Sequence, residues 1–300
     1  MIMTATDGAA WCNEVMVTPS QADDVWGEED NARRYDAYAR EFPNYRDSSR
    51  DLIAVALPAA AGALDVAVLD LACGTGVTSR EILAVLGPAG RLTGADKSAA
   101  MLGVAASSTT DPRVTWVQAR AENVDEYVTH PVDVVVCNSA IWQTDFAAAA
   151  TAVRAVIKAG GLFVFNMPVG FLGDAARTRS SDRFPALLSE MRAIAEQDYG
   201  WTPDPPAPPP RSRPRLTRAS ICRSLADAGF DVEQAADVSH QESAESQRAW
   251  MSVPIFTRDR LPGLSYEQRM GALEKAYERL GPWRAAPAPW IVYAARARES

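Results

Sequence analysis

Histidine is nearly missing from this chain of 300 residues, with only His130 and His240. A multi-histidine metal centre is excluded on that count, and no metal is expected. Cysteine is sparse as well. Cys12, Cys73, Cys137 and Cys222 stand far apart with no CxxC pair, so a disulfide framework does not fit. No apolar run approaches the length of a membrane span. The N-terminus lacks a basic stretch followed by a long apolar one, so no signal peptide is expected. Positive charge is also short: 30 Lys and Arg against 38 Asp and Glu leave a formal net charge of −8. That balance disfavours nucleic-acid backbones and anionic membrane surfaces as partners. These absences leave a cytoplasmic, reduced protein whose partner is a small molecule, with association into a homodimer left open.

What is present is an alternation. After an unpatterned tail over 1–29, Ala32, Tyr35, Tyr38, Ala39 and Phe42 recur at helical spacing, and Pro43 ends that helix. A second helix is expected over 46–57. Strands then read at 66–71, 91–96, 114–118, 132–138 and 161–167. Helices are expected between them, over 78–86, 98–106, 121–127 and 145–158. Ser98 is a candidate N-cap. The four valines in Val132–Val136 suit a strand covered on both faces. Strands alternating with helices at this spacing imply parallel units with right-handed crossovers.

After Pro168 the rhythm breaks. Residues 169–200 read as loosely helical, and 203–214 hold seven prolines, which suits a linker or lid edge. Thr217 caps a helix that Gly229 stops. A sixth strand follows over 230–238, then two helices over 243–281 with a Pro-Gly loop, then a seventh strand over 290–295. The expected fold is α/β: a Rossmann-like, seven-stranded, mostly parallel sheet with helices on both faces, an N-terminal helical cap and an inserted helical lid. Its divisions are a tail over 1–29, a cofactor-binding core with its cap over 30–168, a lid insertion with the proline-rich linker over 169–215, and the end of the core over 216–300, with a helical insertion at about 243–281.

The richest stretch is Val68-Leu69-Asp70-Leu71-Ala72-Cys73-Gly74-Thr75-Gly76, an apolar run that breaks into a tight glycine loop before a helix. A P-loop needs Gly-Lys-Ser or Gly-Lys-Thr, and none is here. A dinucleotide fingerprint needs a third glycine where Ser79 stands. Asp96 ends the second strand twenty residues after Gly76, where an acidic group accepts both ribose hydroxyls.

The loop with these partners resembles the first cofactor motif of class I S-adenosylmethionine-dependent methyltransferases, and is most similar to the ubiquinone and menaquinone methylation branch. Lys97-Ser98-Ala99-Ala100-Met101-Leu102 is similar to the family's next segment, and Ile157-Lys158-Ala159-Gly160-Gly161-Leu162 resembles its turn into the fifth strand. The resemblance implies that S-adenosylmethionine is held by Tyr35, Asp70, Ala72, Gly74, Thr75, Gly76, Asp96, Lys97, Met101, Ala121, Glu122, Asn138 and Ser139. Met101 would lie against the adenine. Arg120 stands where the family commonly has an Asp, so the backbone of Ala121 or the Glu122 side chain would replace it. Met101 also suits plain core.

In an open parallel sheet the ligand lies at the carboxyl ends of the strands. His130 precedes the fourth strand, at the wrong end. His240 follows the sixth, at the right end, and is a candidate base or substrate contact. Tyr35 and Trp142 are further catalytic candidates. Tyr38, Trp142, Gln143, Met167, Phe171, His240 and Trp250 are candidate acceptor contacts, the apolar ones equally suited to core. Cys73 and Cys137 read as small apolar fillers, since no base is placed beside either. The expected function is methyl transfer to a small hydrophobic or aromatic acceptor in specialised biosynthesis. The alternatives are a non-methylating reaction on the same fold, such as cyclisation, and a non-catalytic cofactor-binding protein.

Overall fold

A computed structural model describes residues 29–58, 65–174, 184–202, 215–283 and 287–299. The unpatterned tail up to residue 28 and the proline-rich 203–214 lie outside the described residues.

Strand β1 (Ala67–Leu71) is buried along its last four residues, as continuous hydrophobicity requires of a strand covered on both faces. On one side it pairs in parallel with β2 (Arg91–Asp96), and β2 with β3 (Val114–Gln118). On the other it pairs in parallel with β4 (Val132–Cys137), followed by β5 (Ile157–Pro168). Strand β7 (Ala288–Ala297) inserts antiparallel between β5 and the edge strand β6 (Phe230–His240). The order is β3-β2-β1-β4-β5-β7-β6. Two reversals make β6 parallel to β5 again, so His240 ends at the same edge as Leu71, Asp96 and Cys137. The chain leaves β3 at one side of β1 and enters β4 at the other, which opens a crevice at their carboxyl ends.

Helices α2 (Asn44–Ala56) and α3 (Val77–Val85) cover one face. Leu52, Ile53, Ile82 and Leu83 pack there on Val68, Val134, Val164 and Val292. Helices α5 (Phe146–Val156) and α7 (Arg218–Asp227) cover the other, with Ala149, Val153, Ile221 and Leu225 against Leu69, Val135, Phe163 and Tyr293. Helix α1 (Glu29–Glu41) leads into α2, and α4 (Ala99–Ser108) follows β2. The expected caps form: Ser98 Oγ accepts the Met101 N–H at 3.3 Å, and Thr217 makes a capping box with Ser220.

The described residues fall into two compact units. The sheet and its helices are one. The other takes its described residues from 177–214 and 241–287, and comprises α6 (Phe184–Tyr199), α8 (Ala244–Met251), α9 (Pro254–Arg258) and α10 (Tyr266–Leu280). Its own core joins Leu187, Met191 and Ile194 to Met251, Ala272, Leu273 and Ala276.

Three boundaries differ from expectation. Residues 243–281 hold three helices rather than two, because Pro254, with φ fixed by its ring, starts α9 directly after α8. Helix α5 stops at Val156, and β5 begins at Ile157 with an irregularity before its regular pairing with β4. Only one turn at Val169–Phe171 precedes α6 among the described residues of 169–200. Among the described residues no helix is long and apolar enough to cross a membrane, and no group of three or more His, Cys, Asp or Glu is placed to hold a metal ion.

Candidate active site

The turn after β1 has left-handed backbone at Ala72 (φ 55°), Gly74 (54°) and Gly76 (78°). Gly76 caps α3, and a Cβ there would lie 3.1 Å from the Trp116 ring and 3.2 Å from Ala105 Cβ. Conformation and space both call for glycine at that position. Beside Gly74 the space is open, with nothing within 4 Å of an added Cβ. Thr75 Oγ1 is buried without a hydrogen-bond partner among the described residues. An open glycine surface beside an orphaned hydroxyl, at a helix N-terminus, has the make-up of a ligand cradle.

Asp70 and Asp96 divide the work beneath this turn. Asp70 is only 1 % exposed and accepts the Ser79 hydroxyl at 2.5 Å, so it braces the first turn of α3 from below. Ser79 is thus the partner of Asp70, a role its place in the failed dinucleotide pattern did not suggest. Burial pushes the Asp70 carboxyl up to about 7, against the pull of the Ser79 bond. Asp96 is partly buried, and its Oδ2 accepts the Gly74 N–H at 2.9 Å while Oδ1 accepts the Ser98 N–H at 2.8 Å. Burial raises its pKa as well, and those two bonds work against the rise. A carboxylate has about four acceptor sites, so Asp96 keeps capacity for a ligand. Cys73 and Cys137 are buried free thiols pushed up by burial, as fillers would be.

The N-terminal cap is tied to the turn by charge. Asp36 on α1 takes Arg40 Nε at 2.6 Å and Arg80 at 3.2 Å, and Arg80 also donates to the Thr75 carbonyl at 2.9 Å. Neither Asp36 nor Arg80 stood out in the sequence, where nothing local marks them. Three tyrosines gather on this cap. Tyr35 lies 5.3 Å from Tyr45, and Tyr38 lies 5.9 Å from Tyr45, between ring centroids. Burial, then Tyr45, pushes the Tyr35 hydroxyl well above its ordinary value, with Asp96 adding to the rise.

The remaining cofactor candidates are placed as follows. Met101 is buried in the core. The Lys97 carbonyl accepts Gln118 Nε2 at 3.1 Å. Ala121 is buried, and Glu122 accepts the Asp145 N–H at 2.8 Å, so its carboxylate serves the start of α5. Asn138 Nδ2 donates to Ser49 Oγ at 2.9 Å and to the Tyr45 carbonyl at 3.2 Å, and its Oδ1 accepts Ser48 at 3.1 Å. Ser139 has φ 56° and gives its N–H to Asn166.

On the acceptor side, Trp142 and Phe171 stack with centroids 4.6 Å apart and planes 12° apart, joining the segments after β4 and β5. Gln143 is exposed. Met167 is 0 % exposed and sits in the core cluster against which Trp142 and Phe171 pack. Trp250 stacks on Phe256 at 3.8 Å within the helical unit. His240 Nε2 lies 3.0 Å from the Asp51 carboxylate, with its N–H off the line to it, and its ring meets Trp290 edge-on at 6.3 Å.

Residues 68–161 match the sequence profile of the methyltransferase domain family. Residues 68–161 carry a methyltransferase domain. That match and the seven-stranded sheet agree with the domain and fold expected from the glycine loop and Asp96. No curated protein matches the sequence. Among solved structures, a Bacillus halodurans protein assigned as a methyltransferase is 15 % identical, with 84 % of this chain and 99 % of that one covered at a TM-score of 0.50. A Galdieria sulphuraria protein assigned as a sarcosine dimethylglycine methyltransferase is 12 % identical, covering 84 % of this chain and 86 % of that one at 0.51. At such identities the likeness is one of fold. The methyltransferase domain spans the turn after β1, Asp96 and Asn138, while Phe171 and His240 lie beyond the matched residues.

Proposed function

We propose that this methyltransferase binds S-adenosylmethionine between the 72–76 turn and Asp96 and methylates a small hydrophobic or aromatic acceptor beside Trp142 and Phe171. One observation carries the reading: the Asp96 carboxylate is fastened to the Gly74 N–H, next to open space at Gly74 and an orphaned hydroxyl at Thr75. These groups fit a ligand with a ribose diol and a polar amino-acid end. When bound, the cofactor supplies an electrophilic methyl group on a sulfonium.

The chain's own contribution is position and shelter. Asp96 accepts hydroxyls with its free lone pairs, and the backbone of the turn comes close because glycine leaves it bare. Arg80 and Asp36 hold α1 against the turn, which keeps Tyr35 close enough to Asp96 to sense its charge. The Trp142–Phe171 stack gives the acceptor a flat apolar wall and keeps water away. In-line displacement gains much of its rate from orientation and exclusion of water.

Calorimetric titration with S-adenosylhomocysteine tests this reading. Binding by the wild type, much weaker in Asp96→Ala, is expected, followed by label transfer from methyl-tritiated S-adenosylmethionine to members of a panel of small phenols and anilines. A wild-type chain that does not bind S-adenosylhomocysteine would sink it.

A further inference from the structure

Asn166 sits near the carboxyl end of β5, 0 % exposed, and no sequence signal picked it out. Its Oδ1 accepts the Ser139 N–H at 2.7 Å. A backbone N–H only donates, so this bond fixes which end of the amide is oxygen. Nδ2 then carries two donor hydrogens with no solvent and no hydrogen-bond partner among the described residues. Nearly all buried donors are partnered, so an exception at the edge of a ligand crevice asks for a ligand.

Two neighbours sharpen the point. Pairing of Cys137 with Phe165 sets Asn138 beside Asn166. Asn138 is fully engaged by Ser48, Ser49, Thr78 and the Tyr45 carbonyl, so of two adjacent asparagines one is spent and the other is open. Ser139, the residue Asn166 holds, is with Ala72 one of two non-glycine residues in left-handed backbone among the described residues. Such strain persists where the surroundings impose it, and it concentrates at functional sites.

We propose that Asn166 determines acceptor specificity: Nδ2 receives a hydroxyl or carbonyl oxygen of the acceptor, while Oδ1 holds the Ser139 turn. This rests on the methyl-transfer reading above and narrows its acceptor to oxygenated molecules. The donor is closed to water in this structure, so the acceptor has to move its cover. An acceptor lacking the oxygen leaves a buried donor unmet, which is how polar sites reject apolar analogues.

Two variants separate recognition from support. Asn166→Leu replaces the whole amide, donor and Oδ1 together, by an apolar group of similar volume. The double variant Asn166→Ala with Ser139→Gly removes the amide but lets glycine hold the left-handed turn unaided. Wild type and variants, each saturated with S-adenosylhomocysteine, are titrated calorimetrically with 4-ethylphenol and with ethylbenzene. The wild type is expected to prefer the phenol by about tenfold or more, and the variants to lose that preference while binding S-adenosylhomocysteine unchanged. Equal preference in wild type and variants, equal binding of the two probes by the wild type, or binding of neither overturns the proposal. Failure of S-adenosylhomocysteine itself to bind overturns instead the reading on which it rests. A variant without a cooperative unfolding transition is replaced by the other, and the wild-type ratio stands as a test regardless.

Discussion

The two halves of the crevice are built differently. On the β1–β2 side the ligand surface is backbone: a turn with left-handed residues, an open face at Gly74, and a carboxylate bonded to N–H groups. On the β4–β5 side it is made of side chains brought from afar, with Trp142 stacked on Phe171 and Ser139 bonded to Asn166. A backbone site is set by spacing over a few residues and serves one constant ligand. A side-chain site is set by long-range packing and is free to change with the acceptor. On the proposed reading, the cofactor surface is of the first kind and the acceptor surface of the second.

The comparison breaks first, and hardest, at Asp70. Its carboxyl, at about 7 instead of 3.8, keeps a proton in the folded chain that the unfolded chain releases. The stability it gives is full below about pH 4 and is lost as pH rises through about 7, by at most about 4 kcal/mol. Denaturant unfolding from pH 4 to pH 8 should show that decline, and Asp70→Asn should flatten it to what Asp96, also raised by burial, leaves behind. An unchanged slope in Asp70→Asn would show that the turn does not rest on a buried carboxyl. Asp96→Ala comes next. Loss of a charged acceptor should weaken S-adenosylhomocysteine binding by about 100-fold, or about 2.7 kcal/mol, in calorimetry.

Gly94→Ala probes the layer under the turn, since its Cβ would fall 2.3 Å from the Trp116 ring. Overpacking there should cost about 2 kcal/mol in thermal unfolding, with Trp116→Ala in the same chain restoring part of it. The smallest effect belongs to the other half. A double-mutant cycle of Trp142→Ala and Phe171→Ala should give a coupling of about 1 kcal/mol in stability, with S-adenosylhomocysteine affinity unmoved. If that affinity falls with the stack, the division between the halves is wrong.

Legibility in the sequence followed the same line. The seven strands and most helix limits were readable because burial on both faces writes continuous apolar runs, and because Ser98, Thr217 and Gly76 act on neighbours a few residues away. The turn and Asp96 were readable from spacing alone. Arg80 with Asp36, Ser139 with Asn166, and Asp51 with His240 were not, since each pairs residues from different elements and neither partner is unusual where it stands. Glu122 shows a partner that the sequence did not reveal. Its place suggested the adenine, and its Oε1 also accepts the N–H of Asp145, brought near by the return of the chain into α5. Met167 shows why apolar residues are hard to assign from sequence: at a strand end such a residue suits core and site equally well, and here it is fully buried.

Where β6 ends, His240 is paired with Ala288 at the start of β7. The described residues between them lie outside the sheet, and the chain leaves and rejoins it at adjacent points, a strand spacing apart. A segment whose ends meet in this way puts no tension on the sheet when it is lengthened, shortened or exchanged, and loop closure grows only slowly with its length. What ties residues 241–287 to the rest of their unit is α6, whose Leu187, Met191 and Ile194 share their core, so a change in length there is felt by α6 and not by the ladder of β6 and β7.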